Sequence, residues 1–165
     1  MATFTMRHDL DCDCDTFWKL FFEKDFNEQL FKALEFPMWK LVDSKETDTE
    51  IIRTVKATPK MEAPAAVAKL LGSSFGYDEE GRFNKATKTH KFIIKPNVMG
   101  DKLRNEGTVK CEPRGDGKST RVVEIIAEAK VFGLSGVIEG SFEKSFRTGW
   151  QKSAEFINKW VKEHP

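Results

Sequence analysis

The chain has 165 residues, a length typical of one domain. Its hydrophobic content of 39% is ordinary for a globular protein with a sizeable core. Lysine and arginine number 27 against 26 aspartates and glutamates, so the formal charge of +1 gives no field that favours nucleic acid. We therefore expect one domain over residues 1–165 that does not bind nucleic acid.

The N-terminal part of the chain predicts one strand and two short helices. Residues 2–10 are short and mixed in polarity, as in an edge strand. Asp13 or Asp15 is expected to accept backbone N–H groups at the start of the first helix. A break beginning at Asp25 would place Asn27 as the N-terminal cap of the second helix.

From Phe36 onward the hydrophobic period changes from helical to two. Residues 50–57 and 122–131 alternate as half-buried strands do, and glycine-containing segments, including residues 77–83, have the composition of turns. The pattern favours a six-stranded antiparallel meander. Residues 64–72 interrupt it with a short helix that ends in glycine.

The last element is a long amphipathic helix from Ile138 to about Val161. At 1.5 Å per residue it spans roughly 35 Å, the width of a small domain. Its apolar residues fall on one face and its lysines and arginines on the other, so one long face is expected to be buried.

Five segments carry a resemblance to a known superfamily: residues 17–27, 58–61, 64–72, 105–109 and 131–139 leading to Trp150. Together with the order of elements, they resemble the START-like superfamily (SRPBCC, birch-pollen-allergen-like). The closest resemblance is to an uncharacterised bacterial-type family of presumed lipid-binding domains. The resemblance implies an α+β helix-grip fold, in which a curved antiparallel sheet wraps a long C-terminal helix and leaves a cavity. It implies no catalytic residues.

Small residues in the middle of the apolar stripe of the last helix favour such a cavity. Gly149 and Ser153 lie there, although a bulky strand residue filling the gap is the alternative, because protein interiors close-pack. The predicted ligand-binding residues on helix and sheet are Phe146, Gly149, Trp150, Ser153, Ala154, Ile157, Arg53, Tyr77, His90, Phe92 and Ile125.

Two of these residues are polar and share the phase of inward-facing neighbours on their strands. Arg53 and His90 would then need a partner or a ligand, since burying an unpaired charge is costly. A shift of one residue in register would send both to solvent, so the sequence leaves their orientation open. For Lys88, on the same predicted face as His90, solvent is favoured.

Two segments that break the strand pattern, residues 64–72 and 96–103, are the predicted lid. The second places apolar side chains beside cations, a pattern that suits transient contact with a membrane surface. The alternative is a packed loop whose methionine fills a gap. The predicted lid or membrane-contact residues are Val67, Leu70, Leu71, Val98, Met99 and Leu103.

Several other motifs give no site. Gly117-Lys118-Ser119 lacks the earlier glycine and the following helix of a phosphate-binding loop. The Cys12-x-Cys14 pair lacks the spacing of a zinc site, and the three histidines form no recognisable triad. We expect no metal, no cofactor and no catalytic constellation.

Cysteine usage predicts the compartment. With three cysteines, two of them one residue apart, disulfide pairing is unfavourable. The N-terminus has no apolar signal region. Both features indicate a cytoplasmic protein.

The functional hypothesis is a non-enzymatic carrier or sensor of a small hydrophobic ligand: a lipid, a fatty acid or a sterol-like molecule. One alternative is an aromatase/cyclase-like enzyme, which cavity acids would indicate; the sequence offers only Glu139 and Glu143 beside the apolar stripe. The other is a chaperone-activator-like interaction module. The outward charges Glu124, Glu128 and Lys130 argue against an apolar interface on the sheet, and a protein partner stays unknown.

Overall fold

The computed structural model describes all 165 residues and shows an antiparallel sheet around a long C-terminal helix. The strands are β1 (Ala2–Leu10), β2 (Met38–Glu46), β3 (Glu50–Thr58), β4 (Tyr77–Asn84), β5 (Thr89–Pro96), β6 (Leu103–Gly115) and β7 (Lys118–Ala129). The helices are α1 (Cys14–Phe22), α2 (Lys24–Ala33), α3 (Ala65–Leu71) and α4 (Ser135–Glu163).

The seven strands are ordered β1-β7-β6-β5-β4-β3-β2. Strands β2 to β7 form the predicted meander, and β1 joins it at the edge by pairing antiparallel with β7. The predicted α+β helix-grip fold is therefore confirmed. Neither α4 nor any shorter helix is long and apolar enough to cross a membrane.

Helix α4 has 29 residues and begins three residues before the predicted start. Its first turns are fixed to the sheet by Glu139, whose carboxylate accepts the backbone N–H of Ala129 at 3.0 Å and pairs with the N-terminal amine at 2.9 Å. Ile138, Phe142 and Ile157 are buried along its apolar stripe. The stripe turns one face of α4 toward the inner face of the sheet.

The junction of α1 and α2 differs from the prediction. Asp13 caps α1, accepting the backbone N–H of Thr16 at 2.8 Å. Asn27 does not cap α2, because the break falls at Glu23 and Asn27 lies inside the helix. Its buried amide lies 2.7–3.3 Å from three carbonyl oxygens at the end of α1. Asn27 therefore satisfies the last turn of the preceding helix.

Segment 77–83, predicted as a turn, is strand β4. Its acidic residues and glycine have the composition of a turn, but alternate residues face the sheet interior and the positions between them face outward. The correction places Tyr77 and Glu79 on the concave inner face of the sheet, beside Arg53 of β3.

Candidate functional site

A cavity of about 240 Å³ lies between the inner face of the sheet and α4. Of the 32 residues that line it, 17 are hydrophobic, and eleven of those are Phe, Tyr or Trp. Its volume is just below the range common for small-molecule sites. The apolar part of the cavity wall is thus mostly aromatic.

Helix α4 leaves room for the cavity at Gly149 and Ser153. A Cβ built on Gly149 would meet no heavy atom within 4 Å, so that side of the helix faces open space. Ser153 is buried, and its hydroxyl donates to the carbonyl oxygen of Trp150 at 2.8 Å. Gly149 and Ser153 therefore lie beside an open space, as the small residues in the apolar stripe predict.

On the sheet, two glycines let large rings approach the backbone of the inner face. A Cβ on Gly81 would be 2.5 Å from Cε1 of His90, and a Cβ on Gly107 would be 2.8 Å from Cζ of Phe92. Neither position tolerates a side chain without movement of its neighbour. The glycines keep His90 and Phe92 close to the sheet and so preserve the space in front of them.

Most of the predicted ligand-binding residues line the cavity. They are Phe146, Gly149, Trp150, Ser153 and Ile157 of α4 and Arg53, Tyr77, His90 and Phe92 of the sheet. Ala154 and Ile125 do not: both are buried in the core, and Ile125 packs over Gly107. Lys88 is exposed, as favoured. The orientation of Arg53 and His90, open in the sequence, is inward.

The predicted lid residues are in a different place from the cavity. None of the six lines it. Val67, Leu71 and Leu103 are buried in the core, and Leu70, Val98 and Met99 pack against it. The packed-loop alternative describes residues 97–102 better, because Asn97 accepts the N–H of Gly76 at 3.0 Å and donates to the carbonyl of Ser74 at 2.8 Å.

The cavity reaches the surface elsewhere, between the end of α2, the segment after β3 and the middle of α4. The residues around this mouth are Leu34, Phe36, Lys60, Met61, Glu62, Lys144, Thr148 and Lys152. Its rim is therefore cationic on the α4 side, and on the opposite side it combines apolar residues with Lys60 and Glu62, which form an ion pair at 3.5 Å. Breaks in the strand pattern could not locate it, because the mouth depends on how α2 meets α4.

Arg53 is a buried cation on the cavity wall. Its Nη1 donates to the carbonyl of Phe21 at 2.9 Å, and the guanidinium lies 4.5 Å from the centre of the Phe21 ring. Its Nε has no partner. Burial lowers the pKa of Arg53, and the nearby Glu79 opposes that shift.

Glu79 is a cavity acid that sequence reasoning missed. Its neighbours Asp78 and Glu80 face outward and pair with Lys56 at 3.8 Å and Lys95 at 2.9 Å. Glu79 faces inward, lines the cavity and forms no ion pair. Burial raises the pKa of its carboxyl, and Arg53 opposes the shift. The period-two alternation of residues 77–83 was the signal that could have found it.

His90 lies beside this pair, with its ring centroid 4.8 Å from that of Phe21. Both ring nitrogens are buried without a hydrogen-bond partner. Burial, with a contribution from Arg53, lowers the pKa of His90 to about 3, so the imidazole is neutral near pH 7. A neutral imidazole offers one donor and one acceptor.

A second buried cation, Arg121, lies toward the other end of the cavity and was also missed. Its Nη2 donates to the carbonyl of Trp150 at 2.7 Å and lies 3.1 Å from Nδ1 of His8. The guanidinium is 4.8 Å from the centre of the Trp150 ring. Burial lowers the pKa of Arg121 to about 9. These contacts fix Trp150 as part of the wall.

The polar groups at the cavity are suited to orienting a ligand. They include guanidinium donors, a carboxylate acceptor and a neutral imidazole. No group of three or more His, Cys, Asp or Glu side chains is placed to hold a metal ion. Glu139 and Glu143 do not line the cavity, because Glu139 is committed to β7 and Glu143 pairs with Arg147 at 3.7 Å.

Solved structures share this fold across nearly the whole chain. A protein from Thermus thermophilus, TTHA0849, is 15% identical with a TM-score of 0.67 and 99% of each chain covered. The Zhui aromatase/cyclase from Streptomyces sp. R1128 is 8% identical with a TM-score of 0.68, covering 98% of this chain and 93% of that one. A START superfamily protein from Mycobacterium smegmatis is 10% identical with a TM-score of 0.61 and 99% of each chain covered.

At these identities the likeness establishes the fold alone, the helix-grip architecture found in START-like and aromatase/cyclase proteins. No curated protein matches the sequence. A family described as a protein of unknown function, DUF2505, matches residues 5–161. The chain belongs to that family.

Proposed function

We propose that this protein binds a small hydrophobic ligand in the cavity between the sheet and α4, and carries, transfers or senses it without transforming it. The candidate ligands are a lipid, a fatty acid or a sterol-like molecule. The observation that carries the proposal is the aromatic cavity of about 240 Å³ with its mouth beside α4.

The driving force is removal of apolar ligand surface from water. At about 25 cal/mol per Å², a ligand that buries roughly 300 Å² of apolar surface gains about 7.5 kcal/mol before the costs of association. The rigid Phe and Trp rings of the wall lose little conformational entropy on contact. Association costs at least about 4 kcal/mol, so this apolar gain alone supports only about millimolar binding, and hydrogen bonds to the ligand have to supply the rest.

Uptake and release require movement at the mouth. Segment 59–62 follows β3 and borders the opening opposite α4. It forms neither helix nor strand, so it is the segment we expect to move. Lys144 and Lys152 on the rim would face anionic headgroups if the mouth approached a membrane transiently, whereas Lys60 pairs with Glu35 and Glu62.

Native mass spectrometry, followed by solvent extraction of the purified protein, tests the proposal. We expect a bound apolar molecule that is released intact. Ser153→Phe, which places a ring in the cavity, should lose the bound mass. Gln151→Phe, at an exposed position of α4 that does not line the cavity, should retain it. Equal retention in both variants would place the ligand outside this cavity.

An aromatase/cyclase-like activity is the alternative with one observation in its favour. Glu79 is an acid on the cavity wall, beside Arg53 and His90, and a buried carboxyl with a raised pKa is suited to proton transfer. Incubation with an apolar diketone, in which an enolisable carbon can attack the second carbonyl and close a ring with loss of water, separates the two ideas when the recovered compound is analysed. Unchanged recovery supports binding, and a cyclised product supports the enzyme.

The interaction-module alternative has no comparable support. Glu124 on the outer face of β7 is exposed, and Glu128 pairs with Lys130 at 3.7 Å. For location, we propose the cytoplasm, since all three cysteines are free and Cys12 is buried.

A further inference from the structure

One pair of charges on the cavity wall lacks the contact that such pairs normally form. Arg53 on β3 and Glu79 on β4 face the same space, and the register pairs Val55 with Glu79 and Arg53 with Gly81. The two residues are therefore diagonal neighbours on one face of the sheet. Each affects the ionisation of the other, yet they form no ion pair.

Neither the guanidinium of Arg53 nor the carboxylate of Glu79 has all of its possible hydrogen bonds. Arg53 uses Nη1 on the carbonyl of Phe21, and its Nε has no partner. Glu79 accepts no hydrogen bond from the chain, in contrast to the outward acids Asp78 and Glu80, which pair with lysines. Both side chains line the cavity, so a hydrogen-bonding atom of a bound molecule can contact the two groups at once.

The chemistry of that atom follows from the two groups. Arg53 only donates hydrogen bonds and an ionised Glu79 only accepts them. A single oxygen that accepts from the guanidinium and donates to the carboxylate completes both. Two hydrogen bonds of about 2.8 Å span up to roughly 5.5 Å, a separation at which no direct ion pair forms.

We propose that the cavity selects a hydroxyl-bearing apolar molecule, an alcohol or a phenol, whose O–H bridges Arg53 and Glu79 while its body packs on the aromatic wall. This deepens and rests on the proposed function. A carboxylate would meet the like charge of Glu79, and an ether would leave that carboxylate without a donor.

Three compounds with one ring system test the proposal: 2-naphthol, 2-methoxynaphthalene and 2-naphthoate, each titrated calorimetrically at neutral pH. We expect 2-naphthol to bind roughly tenfold or more tightly than either of the other two compounds. A hydrogen bond to a charged group normally changes the dissociation constant by at least that factor. Equal binding of 2-naphthol and 2-methoxynaphthalene, or tightest binding of 2-naphthoate, would overturn the assignment.

The matched variants are Glu79→Gln and Glu80→Gln, neighbours on β4 that face opposite sides of the sheet. Glu79→Gln should bring the ratio of the dissociation constants of 2-methoxynaphthalene and 2-naphthol close to one. Glu80→Gln should leave that ratio unchanged. An unchanged preference in both would overturn the bridge.

The failure of this inference is distinguishable from that of the proposed function. If 2-naphthol and its methyl ether bind equally and Ser153→Phe abolishes both, the cavity binds apolar ligands without selecting a hydroxyl. If none of the three compounds binds while native mass spectrometry still shows an apolar molecule that Ser153→Phe removes, the hydroxyl bridge is overturned and the proposed function stands.

Discussion

Gly81 of β4 lies directly under the imidazole of His90 on β5, so close that a Cβ would be 2.5 Å from Cε1 and 2.6 Å from Nε2 of the ring. The absence of a side chain at Gly81 allows the buried ring of His90 to approach the sheet backbone where it lines the cavity. Both ring nitrogens are without a partner.

Gly81→Ala should destabilise the protein by about 1–3 kcal/mol, because the added methyl group overlaps the ring of His90. Urea unfolding measures the change in the free energy of unfolding. Gly149→Ala is the control: its methyl group would meet nothing within 4 Å, and alanine in a helix should stabilise by about 0.5–1 kcal/mol. Equal effects at the two positions would contradict the close contact.

Filling the cavity should separate ligand uptake from stability. Ser153→Phe enters open space, so we expect weaker binding of a fluorescent fatty acid with a small change in melting temperature. Ala154→Phe, one residue farther along and buried away from the cavity, should cost about 1–3 kcal/mol by overpacking. Strong destabilisation by Ser153→Phe would mean that the space is already filled.

Stability should fall with pH on the acid side because of the buried histidines. The pKa of His90 is lowered from 6.5 to about 3 and that of His8 to about 4. Between those values and 6.5 the unfolded chain binds protons that the folded chain does not, so the free energy of unfolding decreases as pH falls.

Each histidine contributes a slope of at most about 1.4 kcal/mol per pH unit. His90→Asn removes one titrating group. The slope of the free energy of unfolding against pH should therefore be smaller between pH 6 and 4, by at most about 1.4 kcal/mol per pH unit. The raised pKa of Glu79 acts in the opposite sense and is common to both proteins, so the difference isolates His90. Identical slopes would show that His90 is accessible to protons in the folded state.

Asn27→Leu should destabilise the protein by about 1–3 kcal/mol although leucine is the better helix former. The substitution removes the amide that lies within hydrogen-bond distance of the carbonyls of Leu20, Phe21 and Glu23. The exposed Gln29→Leu on the same helix is the control, with an expected change within about 0.5 kcal/mol. Chemical denaturation of both variants decides whether Asn27 holds the junction.

Periodicity was enough to predict most of the fold. The alternation in β3 and β7 and the long stripe of α4 reflect burial on one face, a property that each segment carries in its own sequence. The short helix α3 was predicted from the helical spacing of its apolar residues and from the glycine after it. Gly72 has a φ of 81°, which only glycine adopts easily.

What could not be predicted depends on contacts between distant segments. A polar residue near a break has the sequence signature of an N-terminal cap of the helix that follows. Only the position of α1 beside it shows that Asn27 contacts the carbonyl groups at the end of α1 instead. The mouth of the cavity lies where α2 meets α4, and no local pattern encodes that meeting. Glu79 was missed because acidic residues beside a glycine suggest a turn.

The edge pairing of β1 with β7 has a consequence for the order of folding. Ala2 pairs with Ala127 and Leu10 with Ser119, so β1 is synthesised before the other six strands of the sheet but pairs only with the last of them, β7. Contacts so distant in sequence close slowly, and unpaired strand edges are prone to aggregation meanwhile. During synthesis β1 is therefore the strand of the sheet that stays unpaired longest.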